Sequence, residues 1–165
     1  MPSTFKLSTI LQNSFSGSST RAAIKHAIPD INASLTDAWS VAAEFTGTGS
    51  NVIGIVAGPP LRIQVGGVTQ IDPITRAQIA VAKVKGFIVY VGRASGSPTG
   101  NVTLTTAGFG STTITSTVLP EGSVFAVHLP IALAAVAAQT LTINLTSTTN
   151  YKVSVVAYGE SEAGV

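Results

Sequence analysis

The chain carries two histidines, seven Asp and Glu residues and no cysteine. His26 and Asp30 stand four apart with serines nearby, which on paper offers a base, an orienting acid and a nucleophile. Pro29 breaks any helix between them, and nothing positions a serine opposite; the pair reads as scattered polar residues on an arm. His128 falls in a predicted strand, 123–129, on the face it shares with Val124 and Ala126, where a hydrogen-bonded or rim histidine is expected. Two histidines without a cysteine are too few to build a transition-metal site. The acids Asp30, Asp37, Glu44, Asp72, Glu121, Glu160 and Glu162 are dispersed, so no loop converges oxygens on calcium, and nothing suggests the paired carboxylates of a glycosidase. The glycine-rich segments lack the lysine and following helix of a phosphate loop; Gly66-Gly67 and Gly92-Arg93 read as turns. The expectation is a protein that is not an enzyme and that takes no cofactor or metal.

Binding chemistry is sparse as well. Asn32, Asn101 and Asn144 each begin an Asn-x-Ser/Thr triplet, but such triplets arise by chance in so threonine-rich a chain. Trp39 with Tyr90 or Tyr151 would make a platform for a sugar ring, yet aromatics are only 6% of residues and core packing is the favoured use. Nine Lys and Arg against seven acids leave a net charge of +2 without a cluster. Nucleic-acid binding needs several clustered phosphate contacts, so that partner is not favoured. Charged residues are 10% of the chain against 45% hydrophobic, and Thr and Ser supply much of the polarity. A neutral surface does little to oppose association, which points to a homo-oligomer or a subunit of a larger assembly.

The elements that must carry these residues are strands. Leu141, Ile143 and Leu145 alternate with Thr142, Asn144 and Thr146, and Tyr151, Val153, Val155 and Ala157 share one face of the next run. These two runs read as a hairpin whose apolar face other strands must cover. Further strands are predicted over 38–45, 51–57, 61–65 after the Gly58-Pro59-Pro60 corner, 101–106, 111–119 and 123–129, with turns at Asp72-Pro73, 94–100 and Pro120-Glu121-Gly122. Within 77–91, Gly86 marks a bend or bulge, and Phe87, Ile88, Val89, Tyr90 and Val91 are apolar on both faces, as in a central strand covered on both sides. Residues 131–138 (IALAAVAA), after Pro130, read as a connection packed on the sandwich with one helical turn. Short, evenly spaced strands predict an all-β fold, a sandwich or barrel rather than βαβ units, with an antiparallel β-sandwich as the architecture expected.

Residues 1–34 differ from the rest. They contain a flexible Ser/Gly stretch, Pro29 and a single short helical candidate at 21–28, and if extended would reach roughly 100 Å at about 3.3 Å per residue. The organisation expected is an N-terminal arm at 1–34, a sandwich at 35–159 and a tail at 160–165. Phe5, Leu7, Ile10, Leu11 and Phe15 are costly to leave in water and are the candidate residues by which the arm is ordered on a neighbouring subunit. The N-terminus has neither the charged nor the apolar region of a signal peptide, and the longest low-polarity run, 131–138, is too short for a membrane helix.

The order GSPTGNVTLTT, TITSTVLP, FAVHLPIALAAVAAQTLTINL and a tyrosine-led last strand, over about residues 84–159, resembles jelly-roll domains of phage and bacterial surface proteins. Together with the uncharged, threonine-rich strands and the long arm, it is similar to small virion proteins of tailed bacteriophages, either head decoration (cement) proteins or accessory tail proteins. That resemblance implies a structural component of a virion or capsid, assembled in the host cytoplasm, whose partners are itself and other particle proteins. The alternatives are an adhesion module that binds carbohydrate on the same fold, and a small capsid subunit whose arm residues Lys6, Arg21 and Lys25 touch nucleic acid.

Overall fold

A computed structural model describes residues 4–9, 31–36, 38–72, 76–97, 99–146 and 150–161. Among them every regular element except one short 3₁₀ turn, Phe109–Ser111, is a strand. In chain order these are β1 (Thr4–Thr9), β2 (Ile31–Thr36), β3 (Ala38–Thr46), β4 (Gly49–Val56), β5 (Arg62–Val65), β6 (Val68–Thr69), β7 (Lys83–Arg93), β8 (Asn101–Ala107), β9 (Thr113–Leu119), β10 (Val124–Ala134), β11 (Thr140–Thr146) and β12 (Tyr151–Glu160).

Strands β3 to β12 form two sheets, a four-stranded one ordered β10-β7-β12-β3 and a six-stranded one ordered β6-β5-β4-β11-β8-β9. All their strand pairs are antiparallel. With the β5–β6 extension set aside, the remaining eight strands are shared four and four between the sheets, and only β8 and β9 are both consecutive and paired. Every other connection crosses from one sheet to the other, which is the jelly roll's pair of Greek keys. The expected sandwich is therefore present.

Period-2 alternation explains the core. Leu141, Ile143 and Leu145 of β11 and Val102 and Leu104 of β8 face Tyr151, Val153, Val155 and Ala157 of β12 and Phe87, Val89 and Val91 of β7, all of them buried. Phe87 is the centre of an aromatic group. Phe109 meets it edge-on at 6.0 Å between ring centroids, and Phe125 stacks on it at 6.1 Å. Among the described residues one polar side chain, Thr106, is buried, where β8 and β9 slip out of register. Its hydroxyl donates to the Thr112 carbonyl (2.8 Å) and accepts from the Ile114 amide (2.9 Å), replacing the ladder bonds lost there.

Four local expectations are corrected. The runs 141–146 and 151–158 are not a hairpin. β11 pairs with β4 and β8 in one sheet, β12 with β3 and β7 in the other, and each buries its apolar face from opposite sides of one core. Strand β7 is central within its sheet but covered on one face only, so Tyr90 is 47% exposed. Gly92 and Arg93 are not a turn; they extend β7 and pair with Lys152 and Tyr151. Residues 131–134 continue β10 as strand instead of forming a connection, and no helix follows. The chain turns at 135–139, held by the Ala135 amide on the Ala82 carbonyl (2.9 Å) and the Ala138 amide on the Ile55 carbonyl (2.8 Å). Pro130 is tolerated within β10 because β10 is an edge strand and its register shifts between His128 and Leu133.

The predicted bend at Gly86 is a bulge. β12 steps from Tyr158 opposite Gly86 to Gly159 opposite Val84, which leaves Lys85 as the extra residue. At the N-terminus, β1 and β2 pair antiparallel as a separate two-stranded ribbon, with Phe5 opposite Leu35 and Leu7 opposite Ala33. The ribbon runs to Thr36, and β1 lies against β3 and β2 against β12. Ile10, Leu11 and Phe15, like the helical candidate at 21–28, lie outside the described residues.

Candidate assembly surface

The residues singled out for chemistry do not converge. His26 and Asp30 lie outside the described residues. Glu44, Glu121 and Glu160 each meet a cation near the surface, at 2.8 Å from Lys152, 2.9 Å from Arg93 and 2.7 Å from Lys83. Among the described residues no three His, Asp or Glu side chains gather as metal ligands, and no helix is long and apolar enough to cross a membrane. Trp39 is buried at 3% exposure with its indole N–H donating to the Lys83 carbonyl (3.0 Å), and Tyr151 is buried in the core. Tyr90 is thus left exposed without either proposed aromatic partner. Asn32, Asn101 and Asn144 all sit in strands.

His128 lies on the outer face of the four-stranded sheet, as its alternation with Val124 and Ala126 requires. A row of register neighbours crosses that face: His128 on β10, Gly86 on β7, Tyr158 on β12 and Ser40 on β3. Gly86 has no side chain, and the Tyr158 ring crosses over it to reach His128, with the hydroxyl 2.9 Å from Nδ1. A β-carbon at position 86 would stand 2.8 Å from that hydroxyl oxygen. Burial pushes the Tyr158 phenol up to about 12. Burial, and then the nearby Lys85 charge, hold the His128 imidazole below its ordinary value. Both rings are therefore neutral at pH 7, and their contact is a structural hydrogen bond between neutral groups.

The surface feature that does concentrate is apolar and uncharged. β9 (TITSTVL) and β10 (VFAVHLPIALA) contain no Asp, Glu, Lys or Arg. They form the edges of the two sheets on one side of the sandwich, joined by the short Pro120-Glu121-Gly122 turn. Arg93 ties that turn to the end of β7 with a two-pronged contact to Glu121, 3.0 and 2.9 Å. On this flank or the turn that follows it lie Val118 (54% exposed), Val124 (58%), Ile131 (76%), Leu133 and Val136, most of the large apolar side chains exposed among the described residues. Tyr90 sits beside Val124 across the β7–β10 pair and widens the patch.

Sequence reasoning missed this flank because it read 131–138 as packed on the sandwich. The available signal was two successive strands without a charge, since edge strands are ordinarily protected by charged residues. Compared with known proteins, the chain matches no family model, no curated protein and no solved structure.

Proposed function

We propose that this chain is a non-enzymatic structural subunit of a virion, of the head-decoration (cement) or accessory kind, and that it acts through protein–protein contacts with itself and with other particle proteins. The observation that carries the reading is the uncharged β9–β10 flank, along or just after which Val118, Val124, Ile131, Leu133 and Val136 are left exposed, on a jelly roll whose polar residues form no converging site among the described residues. Large apolar side chains left exposed along uncharged sheet edges mark an interaction site. A flank without charge suits a partner that is itself neutral and is held by burial. The resemblance of residues 84–159 to small phage virion proteins supports the same role, with the N-terminal residues Phe5, Leu7, Ile10, Leu11 and Phe15 as a second contact.

Neither alternative has an observation in its favour. The aromatic platform for carbohydrate loses Trp39 and Tyr151 to the core, and of the arm cations on which the nucleic-acid alternative rests, Arg21 and Lys25 lie outside the described residues.

The test is quantitative mass spectrometry across a density gradient of lysate from the cells that make this protein. The expected result is that the chain bands with intact particles at a fixed ratio to the major shell or tail subunit. Recovery only in the soluble fractions would overturn the reading.

A further inference from the structure

We propose that β10 pairs with β10 of a second copy of this chain about a two-fold axis at Ala126, so that the two four-stranded sheets join into one continuous sheet. The proposal rests on reading this flank as an assembly surface and names the partner and the contact.

The sandwich has four sheet edges, and three of them are blunted. β6 is two residues long. β3 carries a charged residue, Glu44, paired with Lys152. β9 is broken where its register with β8 slips, and Ser116 there has φ of 48°, a left-handed conformation that interrupts any regular ladder. β10 remains regular over residues 124–128, without proline, bulge or charge in that window.

The ladder phase shows what this window offers. The Val91 amide donates to the Ser123 carbonyl at 3.0 Å, so odd-numbered residues of β10 bond to β7. The N–H and C=O groups of Val124, Ala126 and His128 therefore point away from the sheet, along the open edge. An identical strand placed antiparallel about Ala126 meets all of them. Ala126 bonds to its counterpart, and Val124 bonds to His128 of the second copy on either side, about six backbone bonds in all.

Two further features favour a second copy as the occupant. An isologous contact sets each side chain against the same patch, so a strand with any charge near the axis opposes like charges; β10 has none. The residue on the axis is alanine, the smallest side chain in the window. Register is also restricted: the bulge at 129–132 opposite Lys85, with Pro130 inside it, closes one end of the window, and the Pro120-Glu121-Gly122 turn closes the other. A slipped pairing would set one of these against the ladder. Val124, Ala126 and His128 of both copies, with Tyr90 beside them, then form one neutral surface across the seam.

The experiment uses the full chain in sedimentation equilibrium, with two variants and a control. Ala126→Pro removes an N–H that β7 does not use, so β10 keeps its internal pairing; it should raise the dimer dissociation constant by roughly thirtyfold through loss of two axial bonds. Ala126→Cys, in a chain with no other cysteine, should form a disulfide between copies on mild oxidation, because residues in a hydrogen-bonded pair stand about 5.5 Å apart at Cα, within disulfide reach. Val118→Cys on β9 should not. A chain that stays monomeric at high concentration, or a dimer that Ala126→Pro leaves intact and Ala126→Cys fails to cross-link, overturns the pairing. The two readings fail separately: particles that take up the Ala126→Pro chain normally refute the seam and leave the assembly role standing, whereas a β10 dimer that never bands with particles refutes the assembly role and leaves the seam.

Discussion

Replacing Gly159 by alanine should be among the most damaging single-methyl changes in the sandwich. Gly159 lies in β12 opposite Trp39 of β3 on one side and Val84 of β7 on the other, next to the register slip. A β-carbon there would stand 2.8 Å from the indole of Trp39 and press on the Lys83 carbonyl. The indole cannot swing aside freely, since it is buried and its N–H is bound to that same carbonyl at 3.0 Å. Overpacking of this kind costs about 1–3 kcal/mol, and loss of the indole bond adds about 1 kcal/mol. The expected total is about 2–4 kcal/mol, or roughly 6–12 °C in Tm for a chain of this size. Gly54→Ala is the matched control: its β-carbon would meet Thr140 Cγ2 at 3.5 Å, an ordinary contact, and the stiffer unfolded chain should make it neutral or slightly stabilising. Urea unfolding followed by the fluorescence of Trp39, the chain's single tryptophan, reads both. Equal midpoints for the two variants would refute the packing account of Gly159.

Three further outcomes are expected. The Tyr158 phenol, raised by burial to about 12 from an ordinary value of 10.0, contributes stability that is complete below pH 10 and is lost as pH climbs from there toward 12; Tyr158→Phe should flatten that alkaline fall in the denaturation midpoint while costing about 1 kcal/mol at pH 7. His128, held below 6.5, contributes stability that is present above pH 6.5 and is lost as pH falls from 6.5 toward its folded value, because the unfolded imidazole takes up the proton first. His128→Gln should remove that acid slope, and an unchanged slope would assign it to other groups. Deleting residues 1–36, with the candidate contacts Phe5, Leu7, Ile10, Leu11 and Phe15, should preserve a cooperative β-sheet melt by circular dichroism and abolish uptake into particles; an unfolded product would make the ribbon part of the sandwich's stability.

Strand existence was legible because alternation is a property of the chain itself. Leu141, Ile143 and Leu145, or Tyr151, Val153, Val155 and Ala157, alternate with polar or outward-facing residues whatever they pair with, and they are buried as expected. Turn positions were legible for a similar reason: Gly66 and Gly67 adopt φ of 58° and 79°, which most other residues resist. The candidate surface was only half visible. The lack of charge in β9 and β10 could be read from their residues, but their place at two sheet edges depended on which strands took the central positions.

By itself, the amino-acid sequence determined that this is an all-β sandwich with a neutral, threonine-rich exterior and few groups able to do chemistry. Only the tertiary structure decided the pairing. The same alternating pattern that suits a hairpin of β11 and β12 suits their placement in opposite sheets, because either arrangement buries one face of each strand. The choice falls to contacts remote in sequence, such as Leu141 with Ile53 and Thr106, and Val155 with Ala43 and Val89. It is those contacts that place β7 and β12 inside their sheet and leave the backbone of Val124, Ala126 and His128 facing outward along β10.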